Sequence, residues 1–194
     1  MRSVRTLSLA VLATLTLAAP ARSQDLAGCF IRGDAQATQQ RPSPLAAVSF
    51  TVGGEAGKLC YGRPSAKGRK VMGELVPFRA PWRLGANEAT SLHLRFAADV
   101  GGVKLEPGVY AIYAVPGEKE WEFFINKNWE RWGIPINDAV KATDVGSFKA
   151  PVTATSGMVE QLTFTWGAHG ADQGHLVFEW ENTKVEIPVH KAGM

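Results

Sequence analysis

After residue 44 the apolar residues recur mostly at every second position, the period of a strand with one buried face. Residues 45–52 and 58–62 are short candidates. In 89–97, Leu92, Leu94 and Phe96 face one way and Ser91, His93 and Arg95 the other. Asp99-Val100-Gly101-Gly102-Val103 predicts a tight turn, since adjacent glycines accept the positive φ that a two-residue hairpin loop needs. Residues 108–115 and 120–126 form the next hairpin, closed by Pro116-Gly117-Glu118-Lys119, with Trp121, Phe123 and Ile125 alternating against Glu120, Glu122 and Phe124. Further on, Leu162, Phe164 and Trp166 alternate with polar neighbours, as do Leu176, Phe178 and Trp180. Glu181-Asn182-Thr183-Lys184 is expected to turn the chain into Val185, Ile187 and Val189. Pro188 has no N–H to donate, which puts that last strand at an edge. The best short helix candidate is 137–143, beginning at Asn137.

Seven to nine strands, each with one apolar face, must bury that face against another sheet. Closely spaced antiparallel hairpins therefore predict an all-β fold, an antiparallel β-sandwich of jelly-roll-like or immunoglobulin-like type, over residues 45–190. A flattened barrel is the alternative. Residues 24–44, rich in Gln, Ala and Pro, read as a flexible lead-in.

Residues 63–88 break the alternation. Arg63-Pro64-Ser65-Ala66-Lys67-Gly68-Arg69-Lys70 is followed by Gly73, Pro77, Pro81, Trp82-Arg83 and Gly85-Ala86-Asn87-Glu88. A long irregular stretch inside a domain is usually functional, disordered or held by its own side chains. Val71, Met72, Leu75, Val76, Phe78 and Trp82 argue for an ordered strap.

Composition narrows the setting. The chain has 194 residues, 45% of them hydrophobic, with a formal net charge of +3, enough for one domain with a real core. Residues 1–23 carry Arg2 and Arg5, an apolar run from Leu7 to Ala19, then Ala21-Arg22-Ser23, the order of a secretory signal peptide. Removing them takes three arginines and leaves a mature chain of net charge 0, so a nucleic-acid partner is not expected. No later run approaches a membrane span, and the mature chain is expected to have no transmembrane segment and to be exported, periplasmic or extracellular. The charge is unevenly spread. From Lys58 to Arg83 seven bases face one acid, net +6, while residues 104–194 hold eight bases and twelve acids, net −4.

Cys29 and Cys60 are the only cysteines. In an oxidising compartment the first reading is one disulfide between them. Leu26-Ala27-Gly28-Cys29 also looks like a lipid-attachment box, so an acylated Cys29 anchored to the envelope is the rival, with two free thiols third.

Several motifs carry a family likeness: Tyr61-Gly62-Arg63-Pro64-Ser65 with Lys67-Gly68-Arg69, Leu75-Val76-Pro77, and Trp82-Arg83-Leu84-Gly85-Ala86-Asn87-Glu88-Ala89-Thr90. Gly108-Val109-Tyr110, Pro116-Gly117-Glu118-Lys119-Glu120-Trp121, Phe124-Ile125-Asn126-Lys127-Asn128 with Trp132-Gly133, and Glu179-Trp180-Glu181-Asn182-Thr183-Lys184-Val185 continue it. Across roughly residues 55–190 the chain resembles the domain-of-unknown-function family twenty-nine-eleven of exported bacterial proteins. The resemblance implies a β-rich exported protein and brings no activity, ligand or catalytic residue with it.

Three functional readings follow. In the first, Arg63, Lys67, Arg69 and Arg83, with Asn87 as an amide donor and Tyr61 or Trp82 as an aromatic platform, line a site for a small anionic or saccharide ligand, or dock an envelope partner. The plainer reading of the same cations is that they bond loop carbonyls or pair with Glu88, Glu120 or Glu122. In the second, the protein is a hydrolase. A glycosidase needs two facing carboxylates, of which Glu88 supplies one and no partner can be picked; Ser65 lacks a glycine-flanked elbow, and Ser65 with Lys67 needs a buried neutral lysine. In the third, the protein is structural, offering a face to another protein. Whether it catalyses anything is left open, and its catalytic residues are unknown. No cofactor is expected. His93, His169, His175 and His190 read as surface histidines rather than metal ligands.

Overall fold

The computed structural model describes residues 25–193; the segment read as a signal, 1–23, lies outside them. The described residues form strands β1 (Leu45–Val52), β2 (Glu55–Gly62), β3 (Ser91–Leu94), β4 (Ala98–Val100), β5 (Val103–Leu105), β6 (Gly108–Val115), β7 (Glu120–Asn126), β8 (Asp144–Ala168) and β9 (Gln173–Lys191). Two short helices, α1 (Ala35–Gln39) and α2 (Asp138–Lys141), accompany them. The strands pair antiparallel in the order β1-β2-β3-β6-β7-β8-β9-β4-β5, so the fold is all-β, as the alternation predicts.

The long strand β8 joins the two halves of this sheet. Its residues 144–151 pair with β7, and those from Val152 onward pair with β9. The apolar faces of the two halves meet. Tyr61 on β2 packs edge-on against Phe164 on β8 with ring centroids 4.9 Å apart, and Trp121 on β7 lies 4.9 Å from Phe178 on β9. Phe50 on β1 stacks on Trp166 of β8 at 4.7 Å. Interdigitation of two inward faces is the packing of a sandwich, and Trp121, Phe123, Leu162, Leu176, Phe178 and Trp180 are buried in it in the register read from the alternation.

The hairpin β4–β5 is closed by Gly101 and Gly102, with φ of 60° and 93°, the left-handed pair that a type I′ loop demands. Helix α2 begins after Asn137, whose side-chain oxygen accepts from the Val140 N–H.

Three expectations about the C-terminal third need correction. Residues 181–184 do not turn the chain: β9 runs through them, and it is β8 that bulges opposite, with Ala154 to Val159 facing only Thr183 to Glu181, where Glu181 adopts φ 56°. Extra residues in a strand are accommodated this way, and turn-like composition alone does not distinguish a strand opposite a bulge from a loop. Residues 144–160, where no strand is expected, are the first part of β8. Strand β9 is also not an edge, since it lies between β8 and β4. Pairing with β8 stops at Val152↔Val185, before Pro188, whose carbonyl accepts from the Gly101 N–H at 3.1 Å, so the missing proline donor disturbs no ladder.

Cys29 and Cys60 are joined by a disulfide, which ties the segment before β1 to β2. Leu26 and Ile31 pack beside it on Leu45 and Ala47. Asp34 caps α1 by accepting from the Gln36 N–H.

Candidate functional site

The strap, residues 63–88, is ordered by burial rather than by ladder pairing. Ala66, Val71, Val76 and Leu84 are completely buried, and Trp82 nearly so. Trp82 stacks on Trp180 at 6.1 Å and meets Trp121 and Phe178 edge-on at 5.9 and 6.0 Å. Backbone bonds fasten the strap at both ends. The Ala66 N–H donates to Glu160 O at 2.8 Å and the Leu162 N–H to Pro64 O at 2.9 Å, a short rung along β8. The Trp82 N–H donates to Ala114 O at 2.7 Å and the Ala114 N–H returns to Trp82 O at 2.9 Å, a rung along β6 beyond the end of β3.

Between these rungs, free N–H groups are satisfied by carboxylates from the long ribbon. Glu160 Oε1 accepts from the Lys67 N–H at 2.7 Å, and the two oxygens of Glu181 accept from the Val71 and Met72 N–H groups at 3.1 Å each. Glu181, left-handed at φ 56° and opposite the β8 bulge, is thus the residue whose carboxylate meets the strap. These acids are not those the sequence offered: Glu120 pairs with Lys149, and Glu122 accepts from Ser147.

The eight candidate residues divide. Tyr61 is buried, its hydroxyl oxygen accepting from the Phe164 N–H at 3.0 Å, and burial pushes its pKa up. Arg63 donates from Nε to Leu162 O at 3.1 Å and from Nη2 to Thr163 Oγ1 at 3.0 Å. Lys67 is exposed, which removes the buried neutral amine that Ser-Lys chemistry needs. Asn87 donates through Nδ2 to Ser43 O at 2.8 Å. Glu88, 4% exposed, holds Arg41 through both oxygens at 2.9 and 3.0 Å and accepts from the Arg32 N–H at 2.9 Å. Those five are occupied or turned to solvent, and they do not share one concavity.

The remaining three do. Arg69, Trp82 and Arg83 line a concavity of about 240 Å³ together with Trp180, Leu75 and Ser43 among others. The space admits a small molecule rather than a single water. Arg69 donates from Nε to Ala66 O and from Nη2 to Ser65 O, both at 2.8 Å, leaving Nη1 without a partner among the described residues. Arg83 has no hydrogen bond or ion pair among the described residues, and its Nε is buried without an acceptor. Burial lowers its pKa, since nothing offsets the lost hydration of the cation. Its stem is held by Gly133: a Cβ there would sit 2.3 Å from Arg83 Cδ and 2.9 Å from Asn87 O. The Gly133 N–H donates to Asn87 O at 2.8 Å, so the loop after β7 carries the floor for this arginine.

Chemically, this is an aromatic wall beside two guanidinium groups, with no carboxylate in the lining. It can hold an anion; it does not present the paired acids that glycoside hydrolysis requires. Among the described residues no cluster of three or more His, Cys, Asp or Glu could hold a metal, and no helix is long and apolar enough to cross a membrane. Sequence reasoning missed Ser43 and Trp180. Ser43 comes from a segment with no period, and Trp180 was correctly read as core, with nothing local to say that the space beside it stays open.

Fold and site together define an all-β protein whose irregular basic strap is pinned across a folded-over sheet. The chain matches the family described as Protein of unknown function (DUF2911) over residues 43–189, from just before β1 almost to the end of β9, and belongs to that family. No curated protein and no solved structure matches it.

Proposed function

We propose that the protein is exported and works as a noncatalytic binding protein for a small anionic ligand, seated between Arg83, Arg69 and the Trp82–Trp180 wall. One observation carries the reading: Arg83 is a half-buried guanidinium whose Nε has lost its water and gained no acceptor. A buried donor left unmade costs about 1–3 kcal/mol, more for a charged group, and a ligand carboxylate or phosphate would recover it with a charge-assisted bond. The tryptophan faces suit an apolar or ring-shaped body on that anion. Export is supported by the leader-like order of residues 1–23 and by the Cys29–Cys60 disulfide, which persists in oxidising compartments.

Calorimetry with phenyl phosphate and benzoate, and glucose as a neutral control, tests the site. Both anions should bind the wild type and glucose should not. Arg83→Met should abolish binding while the melting temperature is held or slightly raised, because an unpaired cation is replaced by a packed apolar chain of similar length. Binding unchanged in Arg83→Met, or absent for both anions, refutes the site. Unfolding of Arg83→Met would make the arginine structural.

A further inference from the structure

A second, larger concavity of about 500 Å³ lies on the outer face of β1, β2 and β3, and it has a different chemistry. Ser49 pairs with Lys58 across β1–β2, and Lys58 pairs with His93 across β2–β3. Directly opposed residues on antiparallel strands project to the same side, so these three form a row, flanked by Thr51 and by Arg95 just past β3. The neighbouring positions Phe50, Leu59 and Leu92 are buried in the core, which leaves the row on the solvent side.

Across this row lies Asp25, from the segment before β1. Its Oδ2 accepts from Lys58 Nζ at 2.6 Å, and Lys58 also donates to Ala27 O at 2.9 Å. The Asp25 side chain is 62% exposed, while that of Lys58 is only 17% exposed. The carboxylate is thus a lid resting on a basic floor, not a group built into the core. The rest of the floor is unused. Arg95 is exposed and has no side-chain acceptor among the described residues. His93 presents Nε2 to Ser91 Oγ at 3.0 Å and to Cys60 Sγ at 3.5 Å, which leaves Nδ1 without a hydrogen-bond partner among the described residues. Ser49 and Thr51 bring hydroxyls that can donate or accept.

We infer that this concavity is a second anion site, for a carboxylate-bearing and hydroxyl-rich small molecule of the uronic acid class, and that Asp25 is its internal competitor. The ligand carboxylate takes the place of Asp25 on Lys58 and reaches Arg95. Its hydroxyls meet Ser49, Thr51 and His93 Nδ1. The assignment does not depend on the strap, from which these residues are separate.

The test uses the full chain with glucuronate as the probe and glucose as the neutral control, read by calorimetry and by the NMR signals of His93. Glucuronate should bind and shift His93, and glucose should do neither. Asp25→Asn should tighten glucuronate roughly two- to fivefold, the range by which an exposed ion pair competes. Lys58→Met and the solvent-facing Arg95→Ala should each weaken it severalfold, and Arg83→Met should leave it unchanged. The inference is overturned if neither wild type nor Asp25→Asn binds at millimolar glucuronate, if Asp25→Asn leaves the affinity as it was, or if the affinity follows Arg83 instead of Lys58 and Arg95.

Discussion

Arg63 and Arg83 stand at opposite ends of the same strap, and the fold treats them in opposite ways. Arg63 runs beside β8 where that strand still has a free carbonyl, and its Nε and Nη2 are held by Leu162 O and Thr163 Oγ1. Arg83 lies among Trp82, Trp180 and Gly133, with no acceptor for its Nε among the described residues. Two residues of one type in one basic segment thus become a structural clamp and an unfilled donor. What separates them is the supply of acceptors on the surface each meets, since a guanidinium has only donors and must find oxygen wherever it is buried.

The comparison can be broken first at the anchor of the Arg83 end. Trp82→Ala should cost about 3–5 kcal/mol in chemical denaturation, because it removes a buried indole from a cluster of three aromatic partners. A loss below about 1 kcal/mol would mean that burial of Trp82 does not hold the strap. Next, Glu88→Ala should cost about 2–3 kcal/mol, since it strands Arg41 and the Arg32 N–H that the carboxylate accepts. Retained stability would show that the segment before β1 stays docked by its disulfide and apolar contacts alone.

Arg63→Met sharpens the contrast directly. It should destabilise by about 1–2 kcal/mol through the two lost hydrogen bonds, yet leave phenyl phosphate binding intact, the reverse of Arg83→Met. Equal effects of the two substitutions on binding would join the two ends into one site and contradict the division.

The smallest effect concerns His93, whose pKa is pushed down mainly by burial and further by Lys58. The unfolded chain then takes up the proton before the folded one does. Stability should hold above the ordinary histidine value of 6.5 and fall as pH drops through the lowered value in the fold. His93→Gln should flatten the difference between pH 7 and pH 5 in thermal melts; an unaltered slope would assign the acid loss to other groups.

Much of the fold was legible along the chain. The alternation marked strands at 45–52 and 108–115, and at 120–126 and 175–180 the correct inward face as well, and Gly101-Gly102 marked its hairpin. The irregularity and internal anchoring of 63–88 were legible too. The continuity of β9 through 181–184 was not, because Glu-Asn-Thr-Lys has the composition of a loop and only pairing with the bulged β8 makes it part of a strand. Strand β8 was half hidden for a related reason: in its first part, buried Phe148 and Ala150 stand among exposed or half-covered positions, and the apolar period is weak.

For the site, the sequence by itself determined that cations, prolines and aromatic residues would crowd into one ordered strap, because those properties belong to the residues and their spacing. Which cations would be free was decided only by tertiary structure. Arg63 finds its acceptors 99 and 100 residues away, and Val71 finds Glu181 at a separation of 110. A hydrogen bond is decided within about 3 Å. No local pattern encodes the meeting of groups so far apart, so the difference between a satisfied arginine and an open one arises only when the sheet folds over on itself.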